Sequence, residues 1–231
     1  MAHVPFPYCQ TGGMPHELDC DAVLLDMDGT LVDSTETVVR HWRIWTERHH
    51  LDLDQVLAFS HGRPTLETMK LVAPHLATVE EARGLEAAES ADANGIKPVR
   101  GALPFVMALP ANRWAVVTSA PRRMARERLS RAGFPVTSAL VGSDDVQRGK
   151  PDAEPYLRAA ALLGVTPARC LVFEDAPAGI ESACSAGMEV VAVTTTFPME
   201  RLAARNHVAD FDGLSVAQLG GACGSLRISL P

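Results

Sequence analysis

Lysine is scarce in this chain. Of 21 basic residues among 231, the lysines are Lys70, Lys97 and Lys150, and the rest are arginine. The formal charge is −7 and no basic stripe runs along the sequence, which argues against nucleic acid as the main partner. No apolar run is long enough to span a bilayer, so no membrane partner is expected. The first twenty residues, Met1 to Cys20, contain Pro, Gly and His but no basic segment followed by an apolar one. They do not read as a secretory signal; residues 1–20 are expected to be a loose leader, with Met14 as an alternative start. The cysteines (Cys9, Cys20, Cys170, Cys184 and Cys223) are odd in number and form no Cys-x-x-Cys pair. Reduced, structural thiols in a cytoplasmic protein follow, with Cys170 and Cys184 expected to be buried and inert. There is no internal repeat. What the chain does have is 47% hydrophobic content, enough for one core plus a small second lobe.

The most informative stretch is Ala22-Val23-Leu24-Leu25-Asp26-Met27-Asp28-Gly29-Thr30-Leu31-Val32-Asp33-Ser34. Its apolar opening suits a parallel strand buried on both faces. Asp26 and Asp28 stand at alternate positions and project from the carboxyl end of that strand, where open α/β sheets place their ligands. Gly29 allows a sharp turn away. Two neighbouring acids repel, and a divalent metal is the economical counter-charge.

After Ser34 the pattern becomes helical and stays so to Gly95. Thr35 to His50, Leu51 to Phe59 and Thr65 to Ala73 read as helices, and Thr78-x-x-Glu81 is a capping box opening a fourth. The return segment Ile96 to Gly101 reads as a hinge. From Gly101 strands and helices alternate, which implies a parallel sheet. The fold class expected is therefore α/β, a Rossmann-like parallel sheet core with an inserted all-helical cap domain. The core comprises 21–35 and 100–219, the cap 36–99, and 220–231 is expected to be a tail.

Later strand ends supply matching chemistry. Thr118 and Ser119 follow the apolar run Trp114 to Val117, and a hydroxyl there holds phosphate oxygens or caps the next helix. Lys150 lies between Gly149 and Pro151, before a helix expected over Asp152 to Leu163. Glu174 and Asp175 end the run Cys170 to Phe173.

Taken in order, Asp26-x-Asp28-Gly29-Thr30, Thr118/Ser119, Lys150 and Glu174-Asp175-Ala176-Pro177-Ala178-Gly179 resemble the four motifs of the haloacid dehalogenase superfamily of aspartate-nucleophile phosphatases. The resemblance spans about Asp21 to Thr196. Within that superfamily the helical insertion resembles the cap of the sugar-phosphate phosphatase, glycerol-phosphate phosphatase and β-phosphoglucomutase branch. It implies Asp26 as nucleophile, Asp28 as general acid/base, and Thr118 or Ser119 with Lys150 as phosphate ligands. It also implies Mg2+ held by Asp26, the Asp28 carbonyl and Asp175, with Glu174 near or acting through water. The implied activity is a Mg-dependent phosphatase hydrolysing small phosphate monoesters, sugar or polyol phosphates, through an aspartyl-phosphate. The implied partner is a small phosphorylated metabolite, and the protein is expected as a monomer or weak homo-oligomer.

Two alternatives stand beside this reading. A β-phosphoglucomutase-like phosphomutase uses the same residues, and a non-catalytic HAD-like binding protein would be expected to have lost Asp26 or Asp28. In the cap, Trp42 and Trp45 read as core. His61 and Arg63, flanked by Gly62 and Pro64, are either substrate contacts or loop structure. His41, His49, His50 and His75 lack zinc-site spacing. Arg122, Arg123, Arg126, Arg128 and Arg131 are expected to form a solvated face.

Overall fold

The computed structural model describes residues 17–92, 94–135, 137, 139–220 and 224–231. The chain opens with strands β1 (Glu17–Cys20), β2 (Ala22–Leu25) and β3 (Val32–Asp33). Four helices follow: α1 (Thr35–His49), α2 (Leu53–Ser60), α3 (Thr65–Val72) and α4 (Val79–Ala91). The chain then runs β4 (Lys97–Pro98), α5 (Ala102–Ala108), β5 (Trp114–Val117), α6 (Arg122–Arg131), β6 (Leu140–Val141) and α7 (Glu154–Leu163). It ends with β7 (Cys170–Glu174), α8 (Pro177–Ser185), β8 (Glu189–Val193), β9 (Asn206–Val208), β10 (Ser215–Gln218) and β11 (Leu226–Ser229).

Among the described residues, the main sheet has the order β6-β5-β2-β7-β8-β9, and every neighbouring pair is parallel. β2 shows why its sequence is uniformly apolar. Val23 and Leu25 face the core beneath α5 and α6, while Ala22 and Leu24 face the other core beneath α7 and α8. Alternate side chains of one strand thus enter two separate cores. β2 is central, so Asp26 leaves the sheet at its middle.

The four helices α1–α4 lie between β3 and β4, which pair antiparallel through Val32–Pro98 and Asp33–Lys97. This two-strand ribbon carries both crossings into the helical lobe. The lobe has its own core of Trp42, Trp45, Val56, Met69, Ala73, Ala82 and Leu85. The Thr78 hydroxyl accepts from the Glu81 N–H at 3.1 Å, one half of a capping box. The Glu81 carboxylate does not reach back; it accepts from the Trp45 indole at 2.9 Å instead.

The first and last described segments differ from the expected leader and tail. Glu17–Cys20 is a strand, and β11 pairs antiparallel with it and with β10. Leu226 and Ile228 are fully buried beside Leu18 and Cys20, so the last residues are part of the packed molecule. Met1 to His16, including Cys9 and Met14, lie outside the described residues. Of the two thiols expected to be buried, Cys170 is and Cys184 is exposed. α7 starts at Glu154, because the Asp152 carboxylate accepts from the Glu154 N–H at 2.9 Å and ends the turn there.

Candidate active site

The Asp26 N–H donates to the Phe173 carbonyl at 3.0 Å, which holds the first acid against β7. Gly29 then turns with φ +89°, and a Cβ on it would lie 2.1 Å from Asp175 Oδ2. Only glycine satisfies both the left-handed backbone and that approach. Asp26 and Asp28 line one small cavity of about 80 Å³ between the sheet and the helical lobe.

Lys150 closes this acidic group from the opposite side. Its ammonium is buried and donates to Asp26 Oδ1 at 2.6 Å, to Glu174 Oε1 at 2.6 Å and to the Val117 carbonyl at 3.0 Å. Its three protons therefore join the ends of three adjacent strands. Glu174 Oε1 also accepts from the Tyr156 hydroxyl at 3.1 Å, and Glu174 Oε2 from the Ala176 N–H at 3.0 Å. α8 crosses so near that a Cβ at Gly179 would lie 1.6 Å from Glu174 Oε1. Asp175 Oδ1 accepts from the Thr30 hydroxyl at 3.2 Å.

The electrostatics follow from burial. Burial and then the charges of Glu174 and Asp175 raise the Asp26 carboxyl well above the usual range, with Lys150 opposing. Asp175 is pushed up to about 7 by burial and by Glu174. Burial alone would lower Lys150, but Asp26 and Glu174 hold it above its ordinary value. Three carboxylates, Asp26, Glu174 and Asp175, bring one oxygen each within 4.8 Å of one another. One ammonium faces three acids, and Asp175 Oδ2 is buried with no hydrogen-bond donor. An all-oxygen set with an orphaned carboxylate oxygen fits a hard dication.

Thr118 and Ser119 divide their work. The Thr118 hydroxyl accepts from the Ala120 N–H at 3.1 Å, which leaves its own proton to donate into the cavity. The Ser119 hydroxyl donates to the Gly62 carbonyl at 2.9 Å and so seats the loop that carries His61 and Arg63. Both of those residues line the cavity. The loop is docked closely: a Cβ at Gly62 would lie 2.7 Å from the Ala176 Cβ, and one at Gly149 would lie 2.8 Å from Pro64. His61 stacks edge-on to Phe197 with centroids 5.8 Å apart, and burial pushes its imidazole below the usual value, against the Asp28 charge.

The arginine helix is the main correction at the site. Arg123 is exposed, but Arg128 is buried, reaching Asp28 Oδ1 at 2.8 Å and Glu89 Oε2 at 2.7 Å. Arg122 is half-buried and donates to Asp145 at 3.0 Å. The buried residues of α6 are Met124, Ala125, Arg128 and Leu129, so position 128 falls on the apolar stripe, and that spacing was the available signal. Thr30 and Ser34, whose hydroxyl donates to Asp28 Oδ1 at 2.6 Å, lie in the first stretch but were given no role. Tyr156 was missed, because it sits within ordinary helix sequence and carries no spacing signal of its own.

An acid pair at the end of a central parallel strand, a hydroxyl at the next strand's end, a loop lysine whose ammonium reaches both, and an inserted helical lobe define a class of hydrolase. Residues 20–187 match the family model for haloacid dehalogenase-like hydrolases, and the chain belongs to that family. It is 38% identical over 190 residues to hexitol phosphatase A of Escherichia coli, covering 79% of this chain and 87% of that protein. It is 33% identical over 201 residues to glycerol-1-phosphate phosphohydrolase 2 of Saccharomyces cerevisiae, covering 81% and 80%. A hydrolase from Pseudomonas syringae shares the fold with a TM-score of 0.73 at 23% identity, covering 83% of this chain and 94% of that one. No described helix is long and apolar enough to cross a membrane.

Proposed function

We propose that this chain is a Mg-dependent phosphatase acting on small sugar or polyol phosphates through an aspartyl-phosphate on Asp26. The observation that carries the reading is Lys150 bridging Asp26 and Glu174 at 2.6 Å each, beside the orphaned oxygen of Asp175. Relatives named for hexitol and glycerol phosphates support the substrate class, and the free thiols Cys20 and Cys170 suit a cytoplasmic enzyme.

Asp26 attacks the phosphorus and forms the acyl-phosphate bond as the ester P–O bond breaks. Asp28 gives its proton to the departing alkoxide and then takes one from the water that attacks the phosphoenzyme, which releases inorganic phosphate and restores Asp26. Lys150, its three protons held by Asp26, Glu174 and the Val117 carbonyl, supplies a fixed positive charge beside the phosphate, and the free Thr118 proton binds a phosphate oxygen, while His61 and Arg63 meet the part of the substrate that does not react. Mg2+ bound by Asp26, the Asp28 carbonyl and Asp175, with Glu174 behind them, would offset charge on the transferring phosphoryl group.

The test is phosphate release from a panel of phosphorylated hexitols, hexoses, glycerol phosphate and 2-phosphoglycolate. Turnover is expected with Mg2+ and is expected to vanish in excess chelator. Calcium should inhibit, because its looser and larger coordination sphere misplaces Asp26. Full turnover in chelator would contradict the reading, and an isomerised sugar phosphate as product would make the protein a mutase.

A further inference from the structure

Arg128 occupies a position that the phosphatase scheme does not use. It is rooted in α6 of the sheet domain, yet it spans to a side chain of the helical lobe. One nitrogen lies 2.8 Å from Asp28 Oδ1 and the other 2.7 Å from Glu89 Oε2 on α4. Arg128 and Glu89 are both buried, and the guanidinium Nε has no partner in its surroundings. A buried ionic group of this kind is weak as a source of stability, since desolvation offsets most of the attraction. Its placement across the seam, between an acid of the site and an acid of the lobe, points to a geometric role.

The geometry of Asp28 indicates that role. Ser34, at the entry to α1, donates to the same Oδ1 at 2.6 Å. Both donors therefore grip one oxygen of the carboxyl and leave the other for the reacting proton. The same seam between α4 and α6 holds a Ser90–Glu127 hydrogen bond and an Arg131 contact to the Asp92 carbonyl at 3.0 Å. Glu89 can stay on Arg128 only while the lobe is seated.

We infer that Arg128 is a positioning residue that sets the Asp28 carboxyl for proton delivery, and that Glu89 makes this setting depend on the seated lobe. The inference rests on the phosphatase reading and adds a specific residue pair to it. A proton is needed most when the leaving group is a poor one. An alkoxide needs it, whereas a nitrophenolate leaves without it.

The experiment compares kcat/KM for propyl phosphate and for 4-nitrophenyl phosphate, neither of which carries a sugar. Wild-type turnover of both establishes the parent reaction; its absence would defeat the phosphatase reading itself, separately from this one. Arg128→Gln is expected to lower the propyl phosphate value by about 10- to 100-fold and the aryl value by less than about threefold. Arg128→Lys should recover part of the loss, because it keeps one cation between the two acids. Glu89→Gln, neutral and isosteric, should shift the same ratio in the same direction by a smaller factor.

Removing a buried cation threatens folding, so the double variant Arg128→Met with Glu89→Leu gives an apolar seam of similar volume. It is expected to show the full alkyl-specific loss. Equal losses on the two esters, or an unchanged ratio in Glu89→Gln and the double variant, would overturn the inference and leave Arg128 as a structural bridge.

Discussion

At the scale of single residues, the site works by burying charge and fixing its partners. Lys150 gives its three protons to Asp26, Glu174 and the Val117 carbonyl, so its position does not depend on substrate. Asp26→Asn is expected to abolish phosphate release while the melting temperature stays near that of the wild type, because the amide keeps the shape and Lys150 keeps Glu174. Near-normal turnover by pure, folded Asp26→Asn protein would rule out the covalent route. Lys150→Ala should cut kcat on alkyl and aryl phosphates alike by about 10² to 10³, the loss expected for a preorganised charge at the phosphoryl group. It should also lower stability by about 3–5 kcal/mol, since Asp26 and Glu174 then share a buried space unpaired; urea unfolding reads that directly. The placing of Asp26, Asp28 and Asp175 was legible because they follow the apolar strands β2 and β7, and that of Lys150 because Gly149 and Pro151 mark a loop before α7. Arg128 was not, because five arginines within ten residues read as solvent-facing, and charge composition masked the stripe on which it lies.

Elements add what residues cannot: the ability to choose a substrate. The loop after α2 is docked by the Ser119 bond to the Gly62 carbonyl, and it carries His61 and Arg63 into the cavity. Binding energy gained there from the non-reacting part of a substrate helps seat the lobe and orient the phosphate. Arg63→Ala is therefore expected to weaken kcat/KM for the preferred sugar or polyol phosphate by at least about tenfold, roughly the worth of one lost charge-assisted hydrogen bond. Hydrolysis of 4-nitrophenyl phosphate should remain within about twofold, as it makes no contact with that loop. Equal losses on both would assign Arg63 to loop structure. The helices of this lobe were readable, because α1 and α4 are long enough to show their period and α4 has its cap at Thr78. The last strands were not readable. β9, β10 and β11 are three or four residues each, too short for alternation to stand out, and their pairing is set by distant partners.

For the molecule as a whole, the unexpected feature is that the first and last described strands are woven together. β11 lies between β1 and β10, with Leu18 opposite Ile228 and Cys20 opposite Leu226. Those side chains continue the core that holds Phe105, Trp114 and Val116 beneath the main sheet, so the end of the chain covers one face of the catalytic domain. Arg227 fastens the rim by reaching Asp19 at 2.7 Å and Glu17 at 3.1 Å, an exposed contact of small worth. Burial should therefore dominate over charge at this seam. Ile228 is fully buried, and Ile228→Ala is expected to destabilise by about 2–5 kcal/mol, a drop in melting temperature of roughly 5–15 °C for a chain of this size. Arg227→Ala should cost less than about 1 kcal/mol. The Asp26 cluster lies at the carboxyl ends of the parallel strands, away from this sheet, so well below its melting temperature Ile228→Ala should keep wild-type kcat. Thermal melts of both variants beside a chain ending at residue 219 decide the matter. A truncated chain that melts with the wild type would restore the loose tail, whereas loss of cooperative folding on truncation would establish β11 as part of the catalytic domain.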